Sequence, residues 1–225
     1  MKHYLQVALD WSEVWALVIP LSVLLFRRQQ PSSLLPVIVY VWLGFLVNVI
    51  IDAIMAVNMT LPNSNLTNNP FYNIHSVIRF GCFSFYFISL QKNSFAKLKR
   101  VLGSLGILFL LMNFIFFENF FNRDSFSGNL LTVEAYLLLV YCMLYYLAEL
   151  KEDDNLFEGP HFWVVTGLAI YLVTNFFVFL FYAPMLSVDV TLAINIWNVH
   201  NIAFIIFCVF ITKAFYGTAG YQYSI

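Results

Sequence analysis

Charge is what this chain has least of. Only 10% of its 225 residues are Asp, Glu, Lys or Arg, where a soluble domain carries about 25%. The formal net charge is −1, so nothing draws the whole chain toward nucleic acid, and none is expected as a partner. Cysteine is also rare. Cys82, Cys142 and Cys208 show no C-x-x-C spacing and lie in apolar stretches. That excludes a disulfide framework and a zinc ribbon, and leaves small buried hydrophobes. The histidines are His3, His75, His161 and His200, with no H-x-x-x-H pair among them. Only His75 and His200 fall at similar depth, and with Asp52 they make too sparse a set for zinc. No metal or other cofactor is expected. The last apolar segment has no lysine in its interior, only Lys213 at its end, which excludes a retinal Schiff base. Phosphate loop, kinase signature and nucleophile elbow are all absent, so no enzyme is expected.

Apolar residues fill the space that charge leaves. The chain is 61% hydrophobic with 25 phenylalanines, and its mean hydropathy is +0.80. No globular core absorbs that much apolar surface, so lipid is the expected solvent. A helix crosses the hydrocarbon with about 20 apolar residues. Spans are read at 9–26, 34–57, 71–90, 101–121, 130–148, 162–182 and 190–212. Pro31, Pro36, Pro62, Pro70, Pro160 and Pro184 are read at or just beyond segment ends, and Pro20 inside the first span as a kink. The gaps are too short for a soluble domain. The expected fold is all-α: a seven-transmembrane-helix bundle, one membrane domain over residues 1–225. No cleavable leader is expected, because the first apolar run follows Asp10 and Glu13 and precedes the arginines.

Basic residues fall in every second gap. Arg27, Arg28, Lys92, Lys97, Lys99, Arg100, Lys151 and Lys213 lie on one side, and Lys2 and Arg123 on the other. The positive-inside rule then places the N-terminus outside and the C-terminus in the cytoplasm. The outer loop 58–70 holds the triplets Asn58-Met59-Thr60 and Asn65-Leu66-Thr67, read as chance in a polar loop rather than glycosylation sites. The run Gly103-Ser104-Leu105-Gly106 is read as close helix packing.

Ionisable groups inside a span are costly, which makes them informative. Gly44, Asn48 and Asp52 share one face of the second span; His75, Ser76, Arg79 and Cys82 share one face of the third. At 1.5 Å per residue, Asp52 and Arg79 lie about 9 and about 12 Å from the shared outer ends, so the expectation is an Asp52–Arg79 ion pair. Asn195, Asn198, His200 and Asn201 spread over a polar arc of the last span. Glu134, Asn175, Asn113, Glu118, Asp10 and Glu13 also fall in outer halves. Two readings stand: amides and charges as glue between helices, or the lining of an outward-facing polar cavity. In the second, Asp52, His75, Arg79, Glu134, Asn175, Asn195, Asn198, His200 and Asn201 form a binding site for a small molecule or lipid. The tryptophans, Trp11, Trp15, Trp42, Trp163 and Trp197, are read as interface anchors.

Three stretches carry a likeness: Glu13-Val14-Trp15-Ala16-Leu17-Val18-Ile19-Pro20-Leu21, Phe162-Trp163-Val164-Val165-Thr166-Gly167-Leu168-Ala169-Ile170-Tyr171, and the run 195–201. Together they resemble the small seven-helix membrane proteins of Bacteroidetes, related to the membrane half of some sensor histidine kinases. The resemblance implies a sensor or receptor-like role in a bacterial inner membrane; no fused kinase is expected, so the signal is expected to pass to a separate partner such as a kinase. The alternatives are a structural subunit of a larger membrane complex and a small ion-coupled transporter using Asp52, Glu134 and His200.

Overall fold

A computed structural model describes residues 2–61, 66–90, 95–121, 127–151 and 159–217. Lys92, Arg123, Pro62, the second loop triplet's Asn65 and the acidic run 152–158 lie outside these residues. The described residues fold into eight α-helices: α1 Lys2–Asp10, α2 Ser12–Phe26, α3 Leu35–Thr60, α4 Asn69–Ser89, α5 Ala96–Met112, α6 Gly128–Lys151, α7 Pro160–Val188 and α8 Val190–Gly217. A short 3₁₀ turn, Ser32–Leu34, leads into α3, and a π turn, Asn113–Phe117, ends α5.

Local chemistry explains most ends. Proline sits in the first turn of α3, α4 and α7, where its missing N–H costs nothing. Asp189 is the one residue between α7 and α8. Its Oδ1 accepts from the Thr191 and Leu192 amides at 2.8 and 3.1 Å, capping α8. Pro184 lies inside α7 rather than beyond its end; the helix runs on to Val188 because one Pro removes only one hydrogen bond near a terminus. Pro20 lies inside α2 as expected.

The first span is a bent pair. α1 and α2 meet at 65° around Trp11. The α3, α6, α7 and α8 spans and the α5–π segment are long and apolar enough to cross a membrane, and the bent pair raises the number from five to six. α4 is long enough at 21 residues, but it falls short in hydropathy. Asn69, Asn73, His75, Ser76, Arg79 and Ser84 lower it, and five of these, Asn73, His75, Ser76, Arg79 and Ser84, are buried in the bundle. The chain is therefore a helical bundle with five to six candidate membrane spans and an additional polar helix packed among them.

Packing closes a ring. α2 packs on α3, α3 on α4, α4 on α6, α6 on α7, α7 on α8, and α8 on α2. α5 sits outside, in the groove between α4 and α6. Aromatic rings fill the centre: Tyr40, Phe83, Phe87, Tyr141, Phe204 and Phe207 are buried there. Glycines permit the closest approaches. A Cβ on Gly106 would lie 2.0 Å from the Phe80 ring, and one on Gly103 3.1 Å from the Tyr141 hydroxyl, so this run does pack helix on helix. A Cβ on Gly167 would lie 2.4 Å from Phe210 Cβ. That atom is fixed to the α8 backbone and cannot swing aside. Gly167→Ala is therefore expected to push α7 from α8 and to cost about 1–3 kcal/mol, read as a lower thermal midpoint in detergent.

Candidate functional site

Arg79 lies on the inward face of α4, in the helical register shared with His75 and Ser76, and is 2% exposed. A guanidinium so placed must find acceptors, since lipid offers none. Its Nε and Nη2 donate to Glu134 Oε1 and Oε2 of α6 at 2.6 and 2.7 Å, a bidentate pair. Nη1 donates to the Tyr171 hydroxyl of α7 at 2.7 Å. The Ser76 hydroxyl donates to Glu134 Oε2. The ion pair is thus Arg79–Glu134, not Arg79–Asp52. Asp52 is only half-buried on α3, and its Oδ2 has no hydrogen-bond partner. Similar depth left Asp52 and Glu134 both eligible; the packing of α4 between α3 and α6 turns Arg79 toward α6.

A second group lies beside the first. His200 Nδ1 is 2.5 Å from Asn175 Oδ1, and His200 Nε2 is 2.7 Å from Glu13 Oε1. Asn175 Nδ2 donates to the Tyr171 carbonyl at 2.7 Å. That bond fixes the amide so that its oxygen faces the imidazole. Nδ1 must then carry a hydrogen, and the link between Nε2 and Glu13 needs one proton, held at either end. Glu13 is further held on α2 by its own backbone, whose carbonyl accepts from Asn48 Nδ2 at 3.2 Å. Tyr171 joins the two groups, because its hydroxyl serves Arg79, its carbonyl serves Asn175, and its ring meets His200 edge-on at 5.8 Å.

Glu13 falls in the outer half of the first span. Its register tells more: Glu13, Ala16, Leu17, Pro20 and Leu21 are all buried, at the spacing of one helix face. That pattern, visible in the sequence, aims Glu13 into the bundle. Trp197 is no interface anchor either; its ring stacks on His200 at 4.7 Å. With Tyr72, Leu131, Phe179 and Phe204 it seals the cluster. The space left among Glu13, His75, Arg79, Tyr171 and His200 is about 10 Å³, room for one water at most. The expected outward cavity is therefore closed here, because the polar side chains meet one another instead of lining an opening.

The other expected site residues divide. Asn175, His200, Glu134 and Arg79 are brought together. Asn198 instead exchanges two amide hydrogen bonds with Gln6 of α1, at 3.0 and 3.1 Å, and Asn195 is exposed on α8. His75 stacks on Tyr40 at 5.9 Å, and its Nε2 has no partner. Among the described residues neither amide atom of Asn201 has one, nor do Asn48 Oδ1 and Ser12 Oγ, although all are buried. Asn113 bonds Glu118 across the π turn at 2.7 Å.

The opposite end of the bundle holds a larger cavity than the sealed cluster does. It measures about 650 Å³ and is lined by Ser32, Ser33, Leu35, Pro36, Phe85, Ser89, Leu90, Lys99, Tyr145, Ala148, Glu149 and His161. His161 ties this end together: its ring nitrogens lie 3.2 Å from Ser33 Oγ and 2.8 Å from the Tyr86 hydroxyl. Only the gathering of five helix ends makes these residues one wall. Comparison with known proteins adds nothing to the geometry: no family model, no curated protein and no solved structure matches the chain.

Proposed function

We propose that this chain is a receptor-like protein of a bacterial inner membrane. In this reading α1–α2 is one bent span and α4 a seventh, polar span. The N-terminus is outside and the C-terminus cytoplasmic. Support for the orientation comes from one end of the bundle, where Arg27 lies over Tyr216 at 4.2 Å, Lys213 over Trp163 at 5.6 Å and Lys151 over Phe95 at 4.6 Å. Basic residues gathered there match a cytoplasmic face. The likeness to Bacteroidetes sensor modules points the same way, and the signal would pass to a separate kinase or another membrane partner.

One observation carries the receptor reading. Beside a tightly paired ionic cluster stand buried polar groups with no partner among the described residues, above all Asn201, 1% exposed and unbonded at both amide atoms. Each such group costs about 1–3 kcal/mol. A fold that only needed fastening would have an apolar residue there. A second arrangement of the helices, favoured by a small polar ligand or lipid, would give these groups their bonds, and two states with different affinities are what a receptor requires. Asn201→Leu tests this. It removes the unbonded amide at similar volume, and is expected to raise the thermal midpoint by several degrees while abolishing any ligand-induced stabilisation across a panel of polar metabolites. A lower midpoint in Asn201→Leu would show that the amide serves the closed fold itself and would sink the receptor reading.

A further inference from the structure

We propose that the elbow between α1 and α2, closed on one side by α3, is a binding site for a monovalent alkali cation. The inference needs no second arrangement of the helices and stands apart from the receptor reading. It begins with oxygens that lack donors. Ser12 and Asn48 are both 0% exposed. Among the described residues Ser12 Oγ, Asn48 Oδ1 and Asp52 Oδ2 are buried atoms without a hydrogen-bond partner. Asn48 Nδ2 donates to the Glu13 carbonyl at 3.2 Å. That bond brings α3 against the first turn of α2, where Ser12 lies, and fixes which end of the amide is oxygen. Asp52 follows Asn48 by four residues, one turn further along the same face of α3.

Charge points the same way. The charges that act on Asp52 are Glu13 and Asp10, both negative. Each of those has a partner of its own: Glu13 lies 2.7 Å from His200 Nε2, and Asp10 accepts from Gln6 at 2.8 Å. Arg79, the cation expected for Asp52, is held by Glu134. A carboxylate oxygen out of water, among further acceptors and without a donor, calls for a positive ion. The backbone adds to this. The first span bends by 65° at Trp11, and α1 ends there with the negative end of its dipole toward the elbow. Broken spans hold small cations at such ends. Among the described residues no three His, Cys, Asp or Glu side chains gather as metal ligands. One free carboxylate with neutral oxygens balances a single positive charge, which favours a monovalent ion over calcium. Asp52 is only half-buried, and its exposed side gives the ion a way in.

The full chain in nanodiscs of phosphatidylcholine, with sodium, potassium and choline chloride exchanged at constant ionic strength, provides the test. Thermal unfolding is the readout. Relative to choline, the midpoint is expected to rise by about 4 °C for each tenfold of the better alkali ion above its dissociation constant. Asp52→Asn should melt with the native chain in choline and lose the alkali response, because the amide keeps the shape and removes the charge. Ser12→Ala, a smaller change, should weaken alkali binding about tenfold with the fold intact. Equal midpoints in sodium, potassium and choline would overturn the proposal, as would a full alkali response in both variants. A midpoint that answers to pH but to neither alkali ion would show that a proton serves Asp52, and would overturn the cation site.

Discussion

Glu134→Ala is expected to cost about 3–5 kcal/mol, because it strands a buried guanidinium. Arg79 would lose both bidentate bonds and keep only the Tyr171 hydroxyl. Ser76 would lose its acceptor as well. The expected outcome is a protein that no longer survives extraction as a folded monomer, or that melts well below the native chain. The double variant Arg79→Met with Glu134→Leu should recover most of the loss, since removing both charges of a buried pair is often close to neutral. In choline buffer Asp52→Ala should cost less than about 1 kcal/mol, being a half-buried site without an ion-pair partner among the described residues. A Glu134→Ala protein as stable as Asp52→Ala would contradict the pairing seen here.

Glu13→Ala and Glu13→Gln are expected to differ sharply. The link between His200 and Glu13 needs one proton, and Asn175 obliges Nδ1 of the imidazole to carry its own. A glutamine amide can donate that hydrogen permanently to Nε2, so Glu13→Gln should cost about 1 kcal/mol or less. Glu13→Ala leaves Nε2 buried without a partner and opens a small cavity, at about 2–4 kcal/mol. His200→Ala should be as severe or worse, because it abandons both a carboxylate and an amide in the interior. Thermal unfolding of the three variants in the same detergent gives the order. If Glu13→Gln proves as damaging as Glu13→Ala, the bond depends on full charge on Glu13, and the shared-proton description fails.

Most of the helices were legible before any fold was known. Apolar runs near 20 residues long, broken by proline and short polar gaps, leave little freedom. The ends moved by a few residues, and α7 ran through Pro184. The bend at Trp11 was not legible, since nothing in the composition there separates a turn from a continuing helix. Among the site residues, burial of Arg79, Glu134, Asn175 and His200 could be expected from the cost of charge and amide in lipid. Their partners could not. Glu13 and His200 lie 187 positions apart, and only the closing of the ring between α2 and α8 makes them neighbours.

The sequence by itself determined the solvent, the helical class and which groups had to find partners, because transfer energies act on each residue separately. Tertiary structure decided who pairs with whom, because that depends on how each helix is rotated about its axis. The rotation is set by many weak packing contacts, among them Gly167 against Phe210 and Gly106 against Phe80. It turned an expected outer cavity into a sealed cluster, and it assembled an unexpected cavity from helix ends at the opposite face.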